Sequence, residues 1–361
     1  MRKVIIMGAG KIGRAIAKHL SHSGDYLITM IDKSQAALAH LKDLQNTTLT
    51  QADPKSIDEM VALFNGDCVI SACSFDINKM IAEAALKVGC SYFDLTEDVE
   101  TTDAVETVAA NAKSGQIFMP QCGLAPGFIG ILAHSLSKQF DELEQVKLRV
   151  GALPLHPSNM MKYNLTWSTE GLINEYCNPC HAIVNGESVE VMPLEGLEVF
   201  SLDGIDYEAF NTSGGLGPLH ETLAGRVKRL DYKTVRYQGH CHLMRFLMRD
   251  LKMGNRAGML KEIFEEAVPI TKQDVVLIFV SISGKKNGEY QQITNARKIY
   301  HQTLYGEEWS SIQITTASGI CAVVDLFFEG KLPSKGYVKQ EEVNVEDLLN
   351  NRFGRYFVPK A

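Results

Sequence analysis

The chain has 361 residues, 45% of them hydrophobic and 22% charged, the composition of a folded globular protein rather than a disordered or collagen-like one. At about 100–200 residues per domain, that length predicts two domains, each able to bury its own core. A net charge of −7 repels phosphate backbones and anionic lipid, which removes nucleic acid and membrane surfaces as partners and leaves a small molecule.

The opening Met1-Arg-Lys-Val-Ile-Ile-Met7 has too few apolar residues before Gly8 for a signal-peptide core of about 7–15. The later apolar runs, 275–280 and 320–328, fall short of the roughly 18 residues of a membrane span. The expectation is a cytoplasmic protein whose eight scattered cysteines are reduced core thiols.

From residue 1 to about 120, short apolar runs alternate with helical periods. Strands are predicted at 3–7, 26–31, 47–51, 68–72, 91–94 and 116–119, and helices at 11–21, 34–44, 56–64, 77–88 and 101–114. Ile12, Ala15, Ile16 and Leu20 share one face of the first helix. Ser56 with Glu59 makes a capping box, and Gly89 and Gly115 fall where helix C-caps belong. Strands joined by crossover helices predict an α/β fold, with residues 1–123 forming a Rossmann domain on a doubly wound parallel sheet.

After Pro120 the texture changes. A helix is predicted at 127–140, then strands with two-residue alternation at 146–153, 162–167, 230–237 and 274–283, separated by loops such as Asn211-Thr-Ser-Gly-Gly-Leu-Gly-Pro218. Residues 124–330 therefore read as a second, α+β domain on an antiparallel or mixed sheet, the one assigned to substrate binding and dimerisation once the resemblance below is added. Residues 310–328 form an apolar helix, 330–336 a linker, and 331–361 a tail that packs back on the body.

The strongest motif is Gly8-Ala-Gly10-Lys11-Ile12-Gly13, directly after the first strand and opening the first helix. Gly8 permits the turn, Gly10 lets the backbone approach a pyrophosphate, Gly13 lets helix and strand meet closely, and the helix N-terminus offers its N–H groups to the phosphates. Asp32, at the end of the second strand, is placed to accept hydrogen bonds from a ribose. A carboxylate there repels a 2′-phosphate, so NAD is favoured over NADP, although Lys33 beside it offers that phosphate an ammonium. Asp53 ends the third strand near the adenine position, and Ser71-Ala72-Cys73 end the fourth beside the nicotinamide path; a helix cap and plain packing are the alternatives.

Cys177-Asn-Pro-Cys180-His181 has haem-attachment spacing, but it lacks the further ligands a zinc site needs and reads as a turn with two incidental thiols, so no metal is expected. In the second domain, Tyr163, Trp167, Ser168, Glu170, the loop around Ser213, Arg236 and His240 are the substrate-side candidates. Arginine clamps a carboxylate through two parallel hydrogen bonds, and a histidine titrating near neutrality takes a proton from an amine or water. Asp94 and Glu170 are the alternative bases. A salt bridge and a capped turn are the alternative reading of Arg236 and His240.

Taken together, the segments Gly8–Gly13, Tyr92-Phe-Asp-Leu95, Gly123-Leu-Ala-Pro-Gly127, Tyr163 to Gly171, Thr212-Ser-Gly-Gly215, Lys228 to His240, Gly319-Ile-Cys-Ala-Val-Val, Gly336-Tyr-Val-Lys-Gln-Glu and Asn351-Arg-Phe-Gly resemble the saccharopine dehydrogenase superfamily over nearly the whole chain. Within it the chain is most similar to the lysine 6-dehydrogenases. The resemblance implies oxidation of an amino-acid amine by hydride transfer to a nicotinamide, with Arg236 on the substrate carboxylate and His240 removing the amine proton. Saccharopine reductases have an Asp where this chain has Ala125, and an Asp-His pair where it has Ile129-Gly130, which favours a smaller amine. Carboxynorspermidine dehydrogenase shares the fold. A homodimer joined through the second domain is expected, and a dinucleotide-binding protein without turnover is the alternative from another class.

Overall fold

The computed structural model describes residues 1–358, which form two compact units: Met1–Ile131 with Thr315–Val358, and Leu132–Ile314. The first unit starts with β1 (Arg2–Met7), α1 (Lys11–Ser23), β2 (Tyr26–Asp32), α2 (Gln35–Ala39), β3 (Thr47–Gln51), α3 (Ile57–Leu63) and β4 (Cys68–Ser71). It continues through α4 (Asn78–Val88), β5 (Ser91–Phe93), α5 (Val99–Ala109) and β6 (Ile117–Met119). Helix α6 (Phe128–Ser137) then leads into the second unit.

Local chemistry sets these boundaries. Gly24 and Gly89 end α1 and α4 in the left-handed conformation, with φ of 82° and 84°, which costs glycine no Cβ clash. Ser56 caps α3 by accepting from the Glu59 amide, and Asp98 caps α5 by accepting from Thr101. The expected helix over 34–44 is helical only to Ala39: Leu41 and Leu44 donate three residues back, to Leu38 and Leu41, and the segment tightens into turns. Gly115 lies beyond the Ala110 cap of α5, in the turn before β6, so it is a turn residue and not a helix cap.

The second unit contains β7 (Glu142–Pro154), α7 (Thr169–Cys177), β8 (Cys180–Val184), β9 (Glu187–Val191), β10 (Glu198–Leu202), β11 (Ile205–Asn211), α8 (Leu219–Leu223), β12 (Val227–Tyr237), α9 (His240–Arg245), α10 (Ala257–Ala267), β13 (Asp274–Lys286), β14 (Glu289–Tyr300), β15 (Gln302–Leu304) and β16 (Glu307–Trp309). Its main sheet runs β10-β11-β12-β7-β13-β14, parallel only at β12–β7. The strand expected at 162–167 is irregular, with a lone bridge from Leu165 to Ile270. Its alternation arises because Tyr163 and Leu165 are buried among Leu172, Tyr176 and Phe264 of the helices, a pattern that needs no neighbouring strand.

The chain then forms α11 (Ser311–Phe328), β17 (Gly336–Tyr337) and α12 (Val345–Asn350). Strand β17 pairs in parallel with β6 and completes a seven-stranded sheet of order β17-β6-β5-β4-β1-β2-β3. That order reverses between β1 and β4, the switch point where ligands of doubly wound sheets bind. The second expected boundary, near residue 330, has no counterpart. In α11 the backbone passes so close to the β6 exit that a Cβ on Gly319 would meet the Gly123 carbonyl at 2.7 Å. Asp325 of the same helix is buried, accepting from Tyr26 at 2.5 Å and Asn351 at 2.9 Å and pairing with Arg2 at 2.6 Å and Arg352 at 2.8 Å, so residues 315–358 join the first unit. Helix α11 also reaches the length and apolarity of a membrane span, contrary to the reading of 320–328 as too short, and 72% of it is buried within the fold, as in a core helix.

Within the second unit, the buried Asp274 carboxylate caps α11 by accepting from Ser311 at 2.5 Å and Ile312 at 3.3 Å. Asp274→Ala should therefore lower stability by about 1–2 kcal/mol. Urea unfolding of the variant checks this, and an unchanged midpoint would show that the cap contributes nothing.

Candidate functional site

At the switch point of the first unit, the glycine loop has the geometry its spacing predicts. A Cβ on Gly13 would stand 1.8 Å from the Gly8 carbonyl oxygen, and one on Gly8 (φ 98°) 2.7 Å from the Ala72 oxygen. A Cβ on Gly10 would meet nothing within 4 Å. Two glycines are thus demanded by the protein's own backbone, and the third leaves open the approach to the α1 N-terminus, which no side chain caps. Lys11 and Ile12 begin α1 there, Lys11 exposed and Ile12 half-buried. This arrangement fits a dinucleotide pyrophosphate.

The Asp32 carboxylate is held in place by accepting from the Ala9 amide at 2.6 Å and the Ser34 amide at 2.7 Å. Each oxygen keeps a lone pair, so a ribose diol can still donate to it. Lys33 is exposed beside it. Asp53 is exposed and pairs with Lys55 at 2.7 Å; Ser56, not Asp53, caps the following helix. Ser71, Ala72 and Cys73 close the loop from the β4 side, with the Cys73 sulfur 3.1 Å from where a Gly8 Cβ would be. Burial pushes the Cys73 thiol up to about 12, aided by the nearby Asp32 charge, which removes it as a nucleophile.

Asp94, at the end of β5, is fully engaged: its oxygens accept from the Tyr92 hydroxyl at 2.7 Å, the Asn78 amide at 3.4 Å, the Thr96 N–H at 3.0 Å and the Gln121 N–H at 2.9 Å. It is a positioning group and not the free base expected of it. Sequence reasoning missed Glu97, three residues on. Burial, with Asp98 and Asp94 adding repulsion, pushes its carboxyl up to about 7. No motif marks this residue, because the shift is a property of the folded loop.

In the second unit, Arg236 and His240 do come together, through Tyr176, which the sequence did not single out. Arg236 Nε donates to the Tyr176 hydroxyl at 3.2 Å, and that oxygen lies 3.1 Å from His240 Nε2. His240 Nδ1 lies 2.9 Å from the Met161 carbonyl, which fixes the proton on Nδ1 and leaves Nε2 to accept from Tyr176. Both ring nitrogens are engaged. Burial, followed by the Arg236 charge, lowers His240 to about 3, so the expected neutral-pH base is a permanently neutral acceptor. Glu208, also unmarked in the sequence, sets this corner by accepting from the Gly239 amide at 2.8 Å and the Cys241 amide at 2.5 Å on either side of His240.

Arg236 is only 3% exposed, yet no carboxylate among the described residues forms an ion pair with it. Its NH1 donates to Thr234 at 2.7 Å and the Val235 carbonyl at 2.9 Å, and its guanidinium lies 5.0 Å over the Tyr163 ring. Arg149, equally buried on β7, pairs with both Glu198 and Asp231. The buried Glu175 acts on Arg236 only from beyond ion-pair distance, so the guanidinium has no anion in direct contact, a costly arrangement for a buried cation. Beside it, the Tyr163 hydroxyl is buried close to Thr166 and Trp167 without meeting hydrogen-bond geometry, and the buried oxygens of Thr166 and Thr212 also lack partners.

Ser213 is buried next to Thr212, with its amide on the Glu175 carbonyl at 3.1 Å. Glu170 does not join this group: it is exposed in the first turn of α7 and pairs with Lys261 at 2.6 Å, which removes it as a base. Ser168 caps that helix, and Trp167 is half-buried. Cys177 is exposed, Cys180 is buried, and no three potential metal ligands cluster among the described residues.

Family models match both parts of the chain: the saccharopine dehydrogenase NADP binding domain over residues 4–119 and the saccharopine dehydrogenase C-terminal domain over residues 123–353. The chain belongs to the saccharopine dehydrogenase family. Mitochondrial alpha-aminoadipic semialdehyde synthase of Rattus norvegicus is 22% identical over 98% of this chain and 39% of its own length. Saccharopine dehydrogenase (NADP(+), L-glutamate-forming) of Schizosaccharomyces pombe is 22% identical over 53% of this chain and 44% of its own. The chain therefore spans less than half the length of these relatives. Apo saccharopine dehydrogenase (L-Glu forming) from Saccharomyces cerevisiae has the same fold, with a TM-score of 0.80 at 14% identity over 96% of each chain. A homospermidine synthase from Legionella pneumophila, solved with NAD, follows at 0.69 and 13% identity over 99% of this chain and 90% of its own. Residues 4–119 of the first unit are thus the family's NADP binding domain, residues 315–353 of the same unit fall within the match to the C-terminal domain, and the α/β architecture is that of the family.

The lowered His240 predicts an acid-sensitive fold. The unfolded chain takes up this proton near the ordinary 6.5 and the folded chain only near 3, so the contribution is whole above 6.5 and is lost as pH falls toward 3. The slope from one such residue is about 1.4 kcal/mol per pH unit. His19, also lowered to about 3 by burial, adds a second contribution in the first unit. His240→Asn should make urea stability fall less steeply between these limits, and an unaltered slope would show that His240 titrates normally.

Proposed function

We propose that this chain is an NAD(P)-dependent dehydrogenase that oxidises an amine of an amino acid, with the 6-amine of lysine the favoured substrate. The observation that carries this reading is the buried Arg236 that no carboxylate among the described residues meets in an ion pair, Glu175 acting on it only from a distance, matched to the α-carboxylate of an amino acid. Tyr176 and His240 hold the guanidinium in register, and Tyr163 supports it from below. The dinucleotide, when bound, supplies the hydride acceptor. The amine must be neutral before it can lose hydride, and Glu97, on a loop at the carboxyl edge of the parallel sheet, is poised near neutrality to take that proton.

Two features support a small amine over saccharopine itself. The polar groups expected of saccharopine reductases are missing at Ala125 and Ile129-Gly130, and the space over Gly130 is filled by Gln340, whose Oε1 would lie 2.5 Å from a Cβ there. Saccharopine and carboxynorspermidine are the alternative substrates, the first favoured by the activity of the relatives and the second by the shared fold. The fixed Asp32 carboxylate supports NAD over NADP, against the name of the matching family model. A homodimer joined through the second unit completes the reading.

Three experiments test this reading. Arg236→Met should raise KM for lysine by about tenfold to a hundredfold while leaving NAD binding unchanged. Unchanged KM in a folded variant would take Arg236 out of the site. For the parent, kcat/KM should rise with pH through about 7 as Glu97 ionises, and Glu97→Gln should abolish that limb. A parental profile in Glu97→Gln would place the base elsewhere. Asp32→Ser should weaken NADH by about tenfold to a hundredfold and strengthen NADPH, as read by fluorescence titration, and parallel movement of the two would contradict the ribose contact.

A further inference from the structure

The C-terminal segment does more than add an edge strand to the first unit. Gln340, 2% exposed and three residues beyond β17, sits in a notch that only glycine leaves open at Gly130. Its Oε1 accepts from the Gly127 amide at 2.9 Å, and its Nε2 donates to Gln121 Oε1 at 3.0 Å. Gln121, with a left-handed φ of 63°, donates its own N–H to Asp94 at 2.9 Å. Asp94 accepts from Asn78 at 3.4 Å, and Asn78 Oδ1 accepts from the Ser71 hydroxyl at 2.6 Å. Ser71 Oγ in turn lies 3.5 Å from the Cys73 amide, and the Ala72 carbonyl stands against Gly8.

Every side chain in this line is buried, from Gln340 at 2% exposure through Gln121, Asp94 and Asn78 to Ser71 at 1%. In such surroundings a missing partner leaves the next group unsatisfied, so the constraint is passed along the line instead of being absorbed by water. Gln121 is the sensitive joint. Its backbone conformation is one that a residue with a side chain adopts at a cost, and Gln340 and Asp94 hold it from both sides.

We propose that Gln340 is a positioning residue of the dinucleotide site: through Gln121, Asp94 and Asn78 it fixes the Ser71–Cys73 end of β4 against the Gly8 turn. The tail is then part of the cofactor site although none of its residues belongs to the glycine motif. Glutamine is suited to this because one side chain must accept from Gly127 and donate to Gln121 together.

The test is titration of the full chain with NADH and NADPH, read by fluorescence, beside urea unfolding of the same proteins. Gln340→Ala should raise the Kd of the preferred dinucleotide about tenfold. Arg352→Gln, which cuts the tail from Asp325 at the other end of the segment, should lower stability and leave the Kd unchanged. If Gln340→Ala does not fold, Gln340→Glu replaces it: this keeps the acceptor for Gly127, loses the donor to Gln121, and should weaken dinucleotide binding in a folded protein. An unchanged Kd in the folded Gln340 variant, or an equal rise in Arg352→Gln, overturns the proposal. A parent that binds neither dinucleotide overturns instead the reading of the glycine loop on which the proposal rests.

Discussion

A helix can approach a strand closely enough to share a turn only where no Cβ intervenes, and the first unit is organised around one such place. With Gly13 so near the Gly8 carbonyl, α1 begins directly above the end of β1, and its N-terminal amides face the switch point between β1 and β4. Gly8, in turn, lies against Ala72 at the end of β4, so the two strands that flank the switch point are locked by backbone contact and not by side chains. Side-chain packing would tolerate small errors through rotamer changes. Backbone contact does not, which is why the loop geometry is fixed before a ligand arrives.

Around this contact the polar groups form a supporting layer. Asp32 ties the Ala9 amide to the end of β2, and Asp94 gathers donors from β5, α4 and the β6 exit. The buried Asp94, with its lone pairs used, acts as a strut, and the half-buried Asp32 also holds backbone in place. Asp32 retains a role toward ligand because its lone pairs are not exhausted; Asp94 does not.

The second unit solves a different problem, that of keeping a cation in a dry place. Its two most buried arginines differ in one respect: Arg149 is in ion-pair contact with two carboxylates, whereas the one carboxylate whose charge bears on Arg236, the buried Glu175, stands beyond ion-pair distance. Neutral donors and acceptors make all the direct contacts of Arg236, and Glu175 offsets its field only from a distance. The same field, acting with burial, keeps His240 neutral, so recognition and the loss of histidine as a base have one physical origin. Burial acts in the opposite sense on Glu97, whose carboxyl it raises toward neutrality, the mirror case.

The sequence alone determined what depends on short-range pattern. The glycine spacing after an apolar strand, the acid at the end of β2 and the alternation of strands with helices specify the parallel sheet and the cofactor loop, because each rests on local steric rules. Ordered segments such as 228–240 placed the chain in its family, as the matching family models bear out, and placed Arg236 and His240 on adjoining elements. Tertiary structure decided what depends on neighbours distant in sequence. It withdrew Glu170 into a surface pair, tied up Asp94, neutralised His240, added β17 to the sheet and brought in Tyr176, Glu208, Glu97 and Gln340. The reason is common to all of them: a side chain's charge state and hydrogen-bond capacity are set by burial and by partners tens to hundreds of residues away, and neither leaves a periodic trace in the chain.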